Sequence, residues 1–259
     1  MAWLVRGRRF LTRVVRTAYD QQIRYPAAAL AYYAFVSFVP LLTMLFAVLG
    51  DRAFAQFERM TPQFLTPEAQ ELVQQSLSTA SGRLTAGVLA VLVLGWSSMN
   101  IVGDVRTVVE RVEGIGDRSP RARLRDGVVV LWSLGAAMVV IAATSVLFQS
   151  APDGLIVSTI GFLSLWLALS IVFVPLYFVP SIRMTTLRDA VPGAAIAGFG
   201  WAVIHSGVLF YASNAGQYAV YGVLSGVIII LTSLYLAAAV LFTGIIINVV
   251  VLQGPSDHW

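Results

Sequence analysis

Apolar residues in this chain fall in long unbroken runs, not in the alternation of a half-buried strand or the single stripe of a surface helix. The stretches 84–102 and 128–148 contain no ionisable side chain. A hydrocarbon core of about 30 Å takes about 20 such residues of helix to cross. Helix is required because that interior offers no water to an open backbone. The pattern predicts six spans at 27–49, 84–102, 128–148, 155–179, 190–210 and 222–252, the last long enough to tilt or to project. The expected fold class is an all-α integral membrane protein: six transmembrane helices plus amphipathic interfacial helices. Residues 27–252 form its membrane domain, and 253–259 a cytoplasmic tail.

Residues 1–26 follow a different period. Phe10, Leu11, Val14, Val15 and Ala18 share one helical stripe, with Arg9, Arg13 and Arg16 largely off it. This predicts a basic amphipathic helix on the inner leaflet, those three arginines toward lipid headgroups. Tyr25-Pro26 is expected to end it, because the residue before proline is pushed out of helix geometry. Arg8-Arg9-Phe10-Leu11 is similar to a twin-arginine signal, but the apolar run lies too far downstream and lacks a small-residue cleavage site.

Two connections also carry a pattern. Thr66-Pro67-Glu68 supplies a cap, a first-turn proline and an acid at the positive dipole end. Leu65, Ala69, Leu72, Val73 and Leu77 give the helix it starts an apolar stripe, and Phe54, Phe57 and Phe64 precede it. That segment is expected to rest on the membrane or cap the bundle. Val102, Val105, Val109 and Val112 continue a helical face beyond the second span. Gly114 and Gly116 break it, and Ser119-Pro120 can open another helix.

Composition agrees with the hydropathy. The chain is 58% hydrophobic and 12% charged, where a soluble domain runs near half and about a quarter, and its mean hydropathy is +0.80. All 17 basic residues are arginine, and there is no cysteine, so disulfides and thiolate metal sites are excluded. On the six-span reading fourteen arginines lie on one side, leaving Arg52, Arg59 and Arg83 on the other. The positive-inside rule makes the arginine-rich side, and both termini, cytoplasmic. The basic charge is thereby assigned to topology, not to nucleic acid.

Polar residues inside the bilayer are the default functional candidates, because the bilayer penalises them. His205 is the one ionisable group well inside a predicted span. Without a carboxylate partner it reads first as a structural hydrogen-bonder and second as part of a proton path. Asn100 and Asn248, near the cytoplasmic ends of spans two and six, read as interhelical glue. Ser97-Ser98, Thr144-Ser145 and Thr232-Ser233 can bond back to their own helices. Pro40 and Pro175 each remove a backbone hydrogen bond and predict kinks. Gly222 and Gly226, and Ala194, Ala197 and Gly198, permit close helix approach. Tyr211, Asn214, Gln217, Tyr218 and Tyr221 cluster without charge after span five, as an interfacial aromatic belt or an outward-facing vestibule. No phosphate loop, HExxH or acid cluster at metal spacing occurs. No catalysis, cofactor or metal is therefore expected.

The run from Ala29 through Ser37 to Pro40-Leu-Leu resembles the first-span signature of the YihY/BrkB family. Val191-Pro-Gly-Ala-Ala195, Trp201, Tyr211, Tyr221-Gly222 and Gly244 to Asn248 resemble its C-terminal half, and so does the basic loop after span two. The resemblance implies a six-span prokaryotic plasma-membrane protein. Members are associated with virulence, serum resistance and envelope lipid phenotypes, and some are described as transporters. Some carry a ribonuclease label, which no nuclease constellation here supports. Ser233-Leu234-Tyr235 departs from a frequent Trp-Leu-Tyr. Ile245 to Ile247 replace an acid or amide common before the terminal Asn, so an ion-coupled mechanism is not carried over.

Movement of a lipid or other amphipathic envelope molecule is the leading expectation. It makes membrane lipids the partners, excludes nucleic acid and allows a homo-oligomer. A small-solute transporter and a non-transporting scaffold with a basic loop are the alternatives. The candidate pathway or interface residues are His205, Asn100, Asn248, Ser37, Pro40, Tyr211 and Tyr221.

Overall fold

The computed structural model describes residues 2–49, 80–114, 119–149, 154–214 and 222–253. Among them are seven helices: α1 (Ala2–Asp20), α2 (Arg24–Leu49), α3 (Ala80–Glu113), α4 (Pro120–Gln149), α5 (Leu155–Phe178), α6 (Leu187–Ser213) and α7 (Gly222–Gln253). No strand occurs among the described residues. Helices α3 to α7 each contain a stretch long and apolar enough to cross a membrane. The first expected span coincides with α2, whose 26 residues reach about 39 Å at 1.5 Å per residue. The chain is an all-α, multi-pass integral membrane protein. The helix expected around Thr66 and the loop positions Gln217, Tyr218 and Tyr221 lie outside the described residues.

Several helix ends differ from the hydropathy boundaries. The break after α1 comes at residues 21–23, not at Tyr25-Pro26, with Gln22 in the left-handed region at φ 50°. Pro26 sits in the first turn of α2, where its missing N–H is not needed. Helix α3 runs eleven residues past the predicted end of span two, and α4 begins eight before span three. Charged residues sustain that extension: Arg106 and Glu110, one turn apart, pair at 2.6 Å. Gly114, at φ +66°, then stops α3 in the left-handed conformation that glycine adopts without strain. Helix α6 starts at Leu187, earlier than predicted. The Asp189 carboxylate accepts backbone N–H bonds from Thr186 at 2.9 Å and Thr185 at 3.0 Å, which ties the first turn.

Helix α7 is the most enclosed span and touches α6, α2, α3 and α1. Helix α5 packs between α4 and α6, and α2 pairs with α3. The core collects Phe173, Tyr177, Leu241, Phe242 and Ile246, all essentially unexposed. With no hydrophobic drive between helices inside lipid, close approach and hydrogen bonding must hold them. Both are present. Ala194, Ala197 and Gly198 lie buried on α6 as the small-residue spacing predicts, and Gly198 lies so close to α5 that a Cβ would meet the Ser170 hydroxyl at 2.6 Å. The Trp166 indole donates to the Ala195 carbonyl, Trp201 to Ala237, and the Tyr177 hydroxyl to Leu241, all at 2.8–2.9 Å.

The amphipathic stripe of α1 divides in two. Val14 is buried, with Phe10 and Ala18 packed against the core, while Leu11, Val15 and Tyr19 remain exposed. One apolar face therefore docks on the bundle and a neighbouring one stays open, beside the exposed Arg8, Arg13 and Arg16. The side chain of Arg9 lies outside the described residues.

Candidate functional site

Polar groups gather in two zones. At the end of the bundle that bears the arginines, they close joints between helices. The Asn248 side chain is fully buried. Its Oδ1 accepts the Gly193 N–H at 2.6 Å, and its Nδ2 donates to the Ala190 carbonyl at 3.3 Å. This bridge from α7 to α6 is backed by Gly193 and Gly244, where each glycine sits against the other's backbone. Glu113, at the last residue of α3, is also buried. Its carboxylate accepts the Ser181 hydroxyl and the Ile182 N–H at 3.0 Å, so it holds the connector between α5 and α6. Arg125 lies beside Asp126 at 3.2 Å and donates to the Val179 carbonyl at 3.2 Å. The valine face and Gly114 predict a helix ending at this point, but nothing in the sequence marks Glu113 as buried.

The second zone lies toward the opposite end, among α4, α5 and α6. There a cleft of about 270 Å³ is lined by Thr144, Ser145, Phe148, Gly154, Val157, Ser158, Gly161, Phe162, Leu165, His205, Ser206 and Leu209. Among the described residues, no charged one lines it. Its polar wall has a definite hydrogen-bond order. Thr144 Oγ1 donates to the Val140 carbonyl at 2.7 Å, Ser145 Oγ to Ile141 at 2.8 Å, and Ser206 Oγ to Ala202 at 2.9 Å. The predicted back-bonding of Thr144 and Ser145 is thus what the structure contains. Ser145 Oγ also meets His205 Nε2 at 3.2 Å. Val203, Ile204, Gly207, Val208 and Tyr211, on the other face of α6, form with α7 a separate apolar groove of about 660 Å³.

The remaining candidates do not converge on the cleft. Asn100 donates to the Trp96 carbonyl of its own helix at 2.7 Å, so this bond is not the interhelical glue its position suggested. Ser37 likewise bonds back to Tyr33 at 2.8 Å, and Pro40 stays within α2. Asn214 ends α6 by donating to the Phe210 carbonyl at 2.8 Å. Ser97 and Ser133 have buried hydroxyls without a protein partner, and so has one carboxylate oxygen of Asp104. Asp104 lies on α3 two residues beyond the predicted end of the second span. Tyr221 lies outside the described residues.

Comparison with known proteins follows the whole bundle, not one zone. A protein-family model described as virulence factor BrkB matches residues 14–257. The chain is similar to the ribonuclease-like protein YfkH of Bacillus subtilis, 24% identical over 243 residues, covering 86% of this chain and 87% of that protein. It is also similar to a UPF0761 membrane protein of Alcanivorax borkumensis, 24% identical over 253 residues, covering 91% of this chain and 58% of the relative. A UPF0761 membrane protein of Halorhodospira halophila is 26% identical over 261 residues, covering 92% and 56% respectively. The chain thus spans little more than half the length of the latter two. No solved structure matches it.

Proposed function

The chain belongs to the family of the virulence factor BrkB, and on that premise we propose that it moves a lipid or other amphipathic envelope molecule between the faces of the bilayer. The observation that carries this reading is the uncharged, hydroxyl-lined cleft among membrane-spanning helices. A dedicated ion site would call for charges or exposed carbonyls, whereas a path for an amphipathic molecule needs apolar walls with a few polar groups. The exposed apolar face of α1 and its arginines fit an inner-leaflet contact with anionic lipid. In this reading the protein is not an enzyme, its partners are lipids, and both termini lie in the cytoplasm of a plasma-membrane protein. The ribonuclease-like designation of YfkH is not extended to this chain.

The test is reconstitution of the purified protein into liposomes with headgroup-labelled lipids. Accelerated transbilayer movement of at least one lipid class is expected. Rates equal to protein-free liposomes across all classes would refute the proposal. Retained RNase activity in contaminant-free protein would reopen the nuclease reading.

A further inference from the structure

The hydrogen-bond order of the cleft selects the chemistry of its occupant. Ser145 has one hydroxyl hydrogen, and at 2.8 Å it goes to the Ile141 carbonyl. The contact between Ser145 Oγ and His205 Nε2 at 3.2 Å must then be donated by the imidazole. That sets the tautomer: Nε2 carries the proton, and Nδ1 of a neutral ring is an acceptor. Thr144 and Ser206 have likewise spent their hydrogens on their own helices. What remains on these four residues is a set of lone pairs. Phosphate and carboxylate groups bring only acceptors to such a wall and would leave it unsatisfied. A cation would donate, but no carboxylate among the described residues lines the cleft to offset a buried charge. Uncharged hydroxyl groups fit both conditions.

Size decides what part of a molecule enters. The cleft holds about 270 Å³, just below the roughly 300–1,000 Å³ of pockets that enclose a whole drug-sized ligand. It suits a headgroup and not an entire lipid. Phe148, Phe162, Leu165 and Leu209 make the rest of its lining apolar, as the glycerol region and upper chains of a lipid would require.

We propose that the α4–α5–α6 cleft binds the uncharged polyhydroxyl headgroup of a glycolipid, a sugar unit, through hydroxyl donation to His205, Ser145, Thr144 and Ser206. This rests on the lipid-moving function proposed above and names its substrate class.

The chain has two histidines, His205 and His258, so imidazole nitrogen NMR resolves the site. Full-length H258Q protein is placed in phosphatidylcholine nanodiscs and titrated with a monoglucosyl diacylglycerol, with phosphatidylglycerol and with free glucose. The expected starting state is His205 protonated on Nε2. The glycolipid should shift the Nδ1 resonance, and phosphatidylglycerol and glucose should leave it in place at equal concentration. Ser145→Ala should weaken glycolipid affinity about tenfold or more, which corresponds to about 1.4 kcal/mol. An unmoved Nδ1, or an equal response to phosphatidylglycerol, would overturn the headgroup assignment. A response to glucose alone would overturn the lipid source. The liposome assay separates this from the broader function. Normal lipid movement in His205→Phe protein sinks the site and leaves translocation standing. A glycolipid-shifted His205 in protein that moves no lipid does the reverse.

Discussion

Asn248 carries a primary amide into the most enclosed helix of the bundle, and both ends of that amide are used. Its bonds to Gly193 and Ala190 cross from α7 to α6. Interhelical bonds in membranes average about 0.6 kcal/mol and reach about 1.7. Asn248→Ala removes both bonds at once and is expected to cost about 1–2 kcal/mol in reversible denaturation of the reconstituted protein. Gly193→Ala is expected to cost about 1–3 kcal/mol by overpacking, since its methyl would lie 2.5 Å from the Asn248 amide nitrogen and against the Gly244 carbonyl. No loss in either variant would show the joint to be dispensable. An asparagine in an apolar run is visible in the sequence, and Asn248 was marked for that reason. Its partner was not, because a glycine N–H announces nothing until the helices meet. Asn100 is the contrasting case. The same side chain in a similar run bonds to its own helix, and composition cannot distinguish the two outcomes.

Among whole elements, the spans were legible, as were the Gly114 stop of α3 and the Pro120 start of α4. The end of α1 and the start of α6 were not. Hydropathy measures how much helix lies in hydrocarbon, whereas α3 and α4 continue into the charged region on pairs such as Arg106–Glu110. The extension brings Glu113 to the α5–α6 connector. Glu113→Ala is expected to free that connector, with faster hydrogen exchange at residues 181–185 and a loss of about 1.5–3 kcal/mol, the range for hydrogen bonds to a charged group. Unchanged exchange there would remove Glu113 from its role as a clasp. Helix α1 makes a paired case. Val14 and Val15 are adjacent on its predicted apolar stripe, yet Val14 is 7% exposed and Val15 67%. Val14→Ser is expected to destabilise docking by about 1.5–3 kcal/mol, the scale of burying such a side chain, and to open residues 2–20 to proteolysis. Val15→Ser should leave docking intact. Equal sensitivity of the two variants would contradict the division of the stripe.

Across the whole molecule, polar chemistry is distributed unevenly along the bundle axis. The Asn248 bridge, the Glu113 clasp and the Arg125–Val179 contact all tighten the arginine-bearing end. The hydroxyl-lined cleft and the apolar groove both open in the other half. A bundle closed at one end and cleft at the other has a sidedness, and the proposed topology gives it a direction in which the closed end faces the cytoplasm. The absence of native cysteine makes this directly measurable, because a single introduced thiol is the only one present. In cells whose outer barriers have been opened, a membrane-impermeant maleimide should label Ser213→Cys and Ser206→Cys without lysis. Ser119→Cys, at the start of α4, should react only after the plasma membrane is broken. Ser97→Cys and Ser133→Cys, fully buried, should resist from either side. Labelling of Ser119→Cys in intact cells would invert the topology. If Ser206→Cys were protected while Ser213→Cys reacted, the cleft would open to the bilayer alone and not to water, and a lipid would have to enter it sideways between α4 and α6.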